Sequence, residues 1–227
     1  MTISAPTSID SISPTAGVYL PQEDSRLLVE TLERTVSVTD RSVLDVCTGS
    51  GVVAIAAARL GARSVAAWDI CPNAVQYSRE NAAAAKVAVD VRLGSWTRAR
   101  LRGPFDVVLA NPPYVPADPE AAAAVDGPAW AWDAGPDGRL IVDPLCAAAP
   151  DLLAIGGTLL FVQSELTGVD QSLDALSAAG LVATVVARQR IPFGPVLSSR
   201  ADWLERTGKS AIGCREEELV VIRADRP

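Results

Sequence analysis

Histidine is absent from this chain of 227 residues. That excludes Ser-His-Asp and Cys-His nucleophile chemistry and any imidazole-ligated metal. A basic excess is also absent: the net charge is −7 and the sequence pI is about 4.7. Duplex nucleic acid needs a basic face to neutralise its phosphates, so nucleic acid is disfavoured as a partner. Arg98, Arg100 and Arg102, with the pair Arg188 and Arg190, read as solvated edges. No apolar run approaches a membrane span, and the N-terminus has no basic-then-apolar signal pattern. The four cysteines, Cys47, Cys71, Cys146 and Cys214, have no paired spacing. Neither a zinc site nor a disulfide framework is indicated, and free thiols fit a reducing, cytoplasmic setting. An enzyme so composed must rely on carboxylates, amides, backbone groups and a cofactor.

Apolar residues make up 49% and charged residues 21%, which is a globular composition of one domain's length. Residues 1–16, rich in Ser, Thr, Pro and Ala, read as a mobile arm, and 17–227 as the domain. A helix is expected over 22–35, with Leu27, Leu28 and Leu32 on one face and Gln22, Glu23 and Asp24 in its first turn, where negative charge suits the dipole. Strands are then expected at 42–47, 64–69, 89–93, 105–110, 157–163, 181–188 and 218–223. Helices are expected at 52–60, 73–85, 143–153 and 169–179. Alternation of this kind predicts an α/β fold. It is a Rossmann-like, doubly wound, mainly parallel seven-stranded sheet closed by an antiparallel hairpin. The excursion 189–216 shows no clear helical pattern. The long segment 115–142 reads as a substrate loop or lid, in which Trp130 and Trp132 either wall a pocket or pack the loop down.

Two motifs carry chemistry. Asn111-Pro112-Pro113-Tyr114 follows the apolar run 105–110. An amide or adenine NH2 is a poor nucleophile because its lone pair is delocalised. Acceptors for both N–H groups orient it and raise its electron density. The carboxamide oxygen of Asn111 supplies one acceptor and the Pro112 carbonyl the other. Pro112 and Pro113 stiffen the loop and remove competing donors. Tyr114 offers an aromatic face for a flat group. Methyl transfer from a sulfonium is an in-line displacement, so positioning carries much of the barrier reduction.

The second motif is Gly49-Ser50-Gly51, which opens a helix directly after a strand. Its N–H groups and the helix terminus suit a carboxylate or phosphate. Asp69 ends the next strand and can accept both hydroxyls of a ribose. Asp45, near the loop, can hold a water or an ammonium group. Gly49-x-Gly51-x-x-Ala54 with Asp69 also matches the dinucleotide fingerprint, so a nicotinamide-binding oxidoreductase stays open. That reading gives no role to the 111–114 loop, and no acid/base residue for hydride chemistry announces itself.

Asp45, Gly49, Gly51, Asp69 and 111–114 together resemble a class I S-adenosylmethionine-dependent methyltransferase. The resemblance narrows to the HemK/PrmC group, which methylates the glutamine amide of the Gly-Gly-Gln motif in translation release factors. It takes in Val18-Tyr19-x-Pro21-x-Glu23-Asp24-Ser25, residues 131–139 and Arg215–Leu219. It points to the short branch that lacks an N-terminal helical domain. It implies S-adenosylmethionine as cofactor, with Asp45, Thr48 and the Gly49–Gly51 loop on its methionine part and Asp69 on its ribose. Ser25, Ile70 and Trp96 complete the implied cofactor set, and Asn111 with the Pro112 carbonyl would hold the substrate amide. Cys47 stands at the motif's first glycine position. Ser95 stands where an acid commonly accepts from the adenine amino group, and could do so only more weakly. The resemblance also implies a small zinc-containing activator subunit that adds a strand beside residues 89–93; the alternative, that this edge is covered internally by the N-terminal arm and the chain works alone, stays open. A base N-methyltransferase of RNA or DNA, using the same loop, and a scaffold that has lost catalysis are the remaining alternatives.

Overall fold

The computed structural model describes residues 22–119 and 129–227. The expected arm 1–16, the signature residues Val18, Tyr19 and Pro21, and residues 120–128 of the long loop lie outside the described residues. Seven strands form one sheet: β1 (Ser42–Val46), β2 (Ser64–Asp69), β3 (Asp90–Leu93), β4 (Phe105–Ala110), β5 (Leu153–Ser164), β6 (Val182–Pro192) and β7 (Glu216–Asp225). Their order is β3-β2-β1-β4-β5-β7-β6. β3, β2, β1, β4 and β5 run parallel, and β7 inserts antiparallel between β5 and β6. The expected sheet and its closing hairpin are therefore present.

Helices cover both faces, which is why the central strands read as nearly unbroken apolar runs. On one face α1 (Glu23–Thr35), α2 (Val52–Arg59) and α3 (Pro72–Ala84) pack over Val43, Val65, Leu109, Leu160 and Val221. On the other, α4 (Val142–Leu152), α5 (Val169–Ala178) and a 3-10 helix, Trp96–Leu101, pack over Leu44, Val108, Phe161 and Ile222. Truncating a fully buried side chain such as Leu44 or Leu109 to alanine costs about 2–5 kcal/mol.

β6 runs past its expected end at 188 to Pro192, β7 starts at Glu216 ahead of the expected 218, and two further stretches differ from expectation. β5 begins at Leu153 rather than residue 157, pairing Leu153 with Phe105 before the register shifts ahead of Val107. Gly156 and Gly157 hide this start in the sequence. A Cβ on Gly157 would stand 2.8 Å from the Ala154 carbonyl oxygen, so the backbone approach there requires glycine. The excursion after β6 contains α6 (Pro195–Ser199) and α7 (Ala201–Arg206), which close over a small cluster of Phe193, Leu197, Ala201 and Leu204. Helices this short leave no periodicity to read.

β1 has β2 on one side and β4 on the other, so the winding of the sheet reverses there. Crevices at such switch points, beyond the carboxyl ends of the strands, are where open α/β sheets bind ligands. Among the described residues β3 pairs with β2 alone and forms one edge. Among them too, no helix is long and apolar enough to cross a membrane, and no cluster of Cys, Asp or Glu is placed to hold a metal.

Candidate active site

A cavity of about 370 Å³ opens at this switch point. Its floor is the turn after β1. Asp45 is 1% exposed, and its carboxylate accepts the Thr48 hydroxyl at 2.5 Å. Burial pushes the Asp45 carboxyl up to about 7, against the Thr48 hydroxyl and the Ala54 N–H, and the Asp69 charge adds to the rise. Among the described residues Asp45 makes no ion pair. A ligand cation brought beside it would restore its charge.

Asp69, at the end of β2, is organised differently. Its Oδ2 accepts the Gly49 N–H at 2.9 Å and its Oδ1 accepts the Cys71 N–H at 2.9 Å. Burial raises its carboxyl above the ordinary value, while the Cys71, Gly49 and Ile70 N–H groups pull it back. The carboxylate thereby ties the β1 turn to the β2 turn. Cys47 adopts φ +58°, the left-handed conformation that glycine favours. Burial and the Asp69 and Asp45 charges push its thiol up, so Cys47 is held protonated and unreactive.

The two motif glycines serve different neighbours. A Cβ on Gly49 would meet nothing within 4 Å, because Gly49 borders the cavity. One on Gly51 would stand 2.3 Å from Ser78 Oγ, where α2 and α3 approach. Gly51, at φ +83°, does not line the cavity. It lets α2 start close against α3.

At the far end β4 delivers Asn111. Its Nδ2 donates to Ser25 Oγ at 3.1 Å, which leaves Oδ1 free to accept. Pro113 lines the cavity beside it. Trp68 and Trp96, both 7% exposed, wall one side, and Ile70, 64% exposed, stands at the rim. Ser95 also lines the cavity, but its hydroxyl caps the 3-10 helix, lying 2.8 Å from Thr97 Oγ1 and accepting the Thr97 N–H at 3.3 Å.

One curated relative, from Methanocaldococcus jannaschii, carries the name of a protein N5-glutamine methyltransferase. It is 36% identical over 178 residues, covering 78% of this chain and 87% of that protein. The chain belongs to the HemK family of protein glutamine methyltransferases. A release factor glutamine methyltransferase of Mycolicibacterium smegmatis is 34% identical, covering 79% of this chain and 65% of that one. The family model for ribosomal protein L11 methyltransferase (PrmA) matches residues 23–112. Among solved structures, the E. cuniculi Mtq2–Trm112 complex, described as responsible for methylating the eRF1 translation termination factor, superposes with a TM-score of 0.62 at 20% identity. The match covers 92% of this chain and 99% of that one, and it supports the fold. This HemK-family chain is a methyltransferase, and methyltransferases of this family in general draw on S-adenosylmethionine.

In the HemK-family chain the cavity gathers Ser25, Asp45, Cys47, Thr48, Gly49, Asp69, Ile70, Ser95, Trp96, Asn111 and Pro113 of the expected set. It does not gather Gly51, Pro112 or Tyr114. Tyr114 is 8% exposed and donates its hydroxyl to Asp24 Oδ2 at 3.2 Å. Its ring borders a second pocket, of about 440 Å³, with Trp132 and Glu217. Trp130 borders the main cavity, half exposed. Each tryptophan of the long loop therefore walls a different pocket.

Sequence reasoning missed three acidic groups. Asp133 lines the cavity, held by Arg200 at 2.6 Å. Asp24 reads in the sequence as a first-turn charge suited to the α1 dipole and as a member of the family signature, with no role assigned to it. Glu217 lies in a run of glutamates within the family-like segment Arg215–Leu219, with nothing to single it out from its neighbours. Burial pushes its carboxyl up to about 7, opposed by the Ser164 hydroxyl and reinforced by Asp24 and Glu165. Arg139, 2% exposed, is structural: it binds Asp143 at 2.6 Å and the Thr167 and Gly168 carbonyls.

Proposed function

We propose that this chain methylates the side-chain amide nitrogen of a glutamine in a protein, with the Gly-Gly-Gln motif of a translation release factor as the substrate class. One observation carries this reading. A single cavity has the buried Asp45 and half-buried Asp69 carboxylates at one end and, at the other, Asn111 with its NH2 engaged and its oxygen available.

The residues suit S-adenosylmethionine. Asp45, buried without an ion pair among the described residues and pushed up to about 7, awaits a cation, and the cofactor carries an ammonium and a sulfonium. Gly49 leaves open space for close approach. Asp69 has lone pairs for the ribose hydroxyls, and Ile70, Trp68 and Trp96 offer apolar walls for the adenine. When bound, the cofactor supplies an electrophilic methyl group. Asn111 Oδ1 accepts one N–H of the glutamine amide and aims its nitrogen along the line of displacement, while Pro112, expected to accept the other, does not line the cavity. Pro113 keeps water from that side. The methylated nitrogen sheds its extra proton readily, because an N-protonated amide is a strong acid, so no strong base is required.

Incubation with methyl-labelled S-adenosylmethionine and either a release factor or total RNA tests the reading. Label on the glutamine of Gly-Gly-Gln is expected, and label on RNA alone overturns it.

The β3 edge fits a strand-adding activator subunit. Residues Asp90–Leu93 pair with β2 on one side, and Leu93 and Leu101 are exposed nearby, 51% and 87%. Among the described residues nothing else pairs with this edge, and an edge left uncovered pairs readily with another chain. Co-expression with a candidate activator is expected to raise solubility and activity. A single chain that is monodisperse and fully active overturns this part.

A further inference from the structure

We propose that Asp24 is the positioning residue of the Asn111–Tyr114 loop, fixing which end of the Asn111 amide faces the cavity. The inference rests on the reading of Asn111 as the holder of the substrate amide, and it assigns that site the group that sets its polarity.

Asp24 sits in the first turn of α1, 4% exposed. Its Oδ1 accepts from the Ser25 N–H at 2.6 Å and from the Ser25 hydroxyl at 3.3 Å. Its Oδ2 accepts from the Tyr114 hydroxyl at 3.2 Å. Ser25 Oγ in turn accepts from Asn111 Nδ2 at 3.1 Å. One carboxylate therefore reaches both ends of the loop, residue 111 through Ser25 and residue 114 directly.

The direction of this chain matters more than its length. A carboxylate only accepts hydrogen bonds. Beside it, the Ser25 hydroxyl must spend its proton on Asp24 and present a lone pair to Asn111. That lone pair attracts the Asn111 NH2 and repels its oxygen. The oxygen is left facing the cavity, the orientation needed to accept from a substrate N–H. In the flipped orientation an NH2 would confront the substrate's NH2, donor against donor. The two prolines between the tethered residues add stiffness, but they do not choose the amide's orientation. Buried polar groups linked this way hold one arrangement because any other leaves a donor or acceptor unmet.

The test uses the full chain, S-adenosylmethionine and a release factor bearing Gly-Gly-Gln, with a readout that needs no turnover. The Asn111 side-chain amide resonances are assigned by their loss in Asn111→Ala. In Asp24→Ala they are expected to move as the bond to Ser25 loosens. Turnover kcat should fall about 30-fold or more while KM for S-adenosylmethionine stays within about twofold, the split expected of lost orientation rather than lost binding. Asp24→Asn keeps one acceptor oxygen and should fall between. A wild-type kcat, or an unmoved Asn111 resonance whatever the kcat, overturns the proposal. If Asp24→Ala does not fold, Ser25→Ala and Tyr114→Phe each delete one hydroxyl of the chain, and wild-type kcat in both is equally fatal. Full activity in Asn111→Ala would sink the reading of Asn111 instead, and the resonance shift would still decide the role of Asp24.

Discussion

The two ends of the cavity are built in opposite ways. At the β1–β2 end the lining groups are neighbours in sequence. Asp45, Cys47, Thr48 and Gly49 come from one turn, and Asp69 and Ile70 from the next. Backbone N–H groups organise them, with Asp69 accepting from Gly49 and Cys71. At the Asn111 end the partners come from opposite parts of the chain, since Ser25 lies 86 residues before Asn111 and Asp24 lies 90 before Tyr114. Groups held by backbone can be exchanged with modest damage beyond the lost contact. Groups held by a chain of side chains fail together. The first end should therefore govern affinity and the second turnover.

The sharpest way to break this contrast is Asn111→Ala. Loss of the positioned acceptor should cost about 3 kcal/mol or more in kcat/KM while S-adenosylmethionine affinity stays within about twofold. Steady-state kinetics beside calorimetry would expose a shared role if both fell together. Asp69→Ala is the converse. It removes charge-assisted bonds and should weaken cofactor binding by roughly 1.5–3 kcal/mol. Calorimetry finding unchanged affinity would place the ribose elsewhere.

Glu217 tests the packing behind the Asn111 end. Its carboxyl stands at about 7 in the folded chain against an ordinary value of 4.5. Between those values the folded state binds the extra proton, so this group's contribution makes stability fall as pH rises through that window and then level off. Glu217→Gln should therefore be more stable than wild type at pH 8, by roughly 3 kcal/mol, and equal to it below about pH 4.5. Chemical denaturation at the two pH values measures this, and equal stability at both would mean the carboxylate is solvated.

The smallest effect concerns Asp45. Its carboxyl stands at about 7 without a bound cation, so below that pH a cation must displace a proton. Affinity for S-adenosylmethionine should climb about fivefold from pH 6 to pH 7, reach about tenfold by pH 8 and flatten above it. In Asp45→Asn affinity should be low and flat with pH. A titration that shows the same slope in both proteins would assign the proton to another group.

Much of this was legible beforehand because it is local. Strand and helix alternate with clear apolar periods, and Gly61 and Gly180 end α2 and α5 at φ +90° and +85°, as helix-ending glycines do. The glycine turn and Asp69 announced the first end of the cavity. What failed to show had physical reasons. The start of β5 was disguised by two glycines, and α6 and α7 were too short for a period. Tyr114 looked like a substrate platform because an aromatic after Asn-Pro-Pro carries no sign of which way it will turn. Only the arrival of α1 beside β4 gives its hydroxyl a buried carboxylate to meet.

By itself the sequence determined the fold class, the family and the turns that floor the cavity, because each is encoded by residues close together in the chain. The tertiary structure alone decided that Gly51 serves α3 rather than the cavity, that Tyr114 turns to Asp24, and that the Asn111 amide has a direction. Those outcomes depend on contacts across distant segments, where a side chain's partner is set by packing and not by spacing.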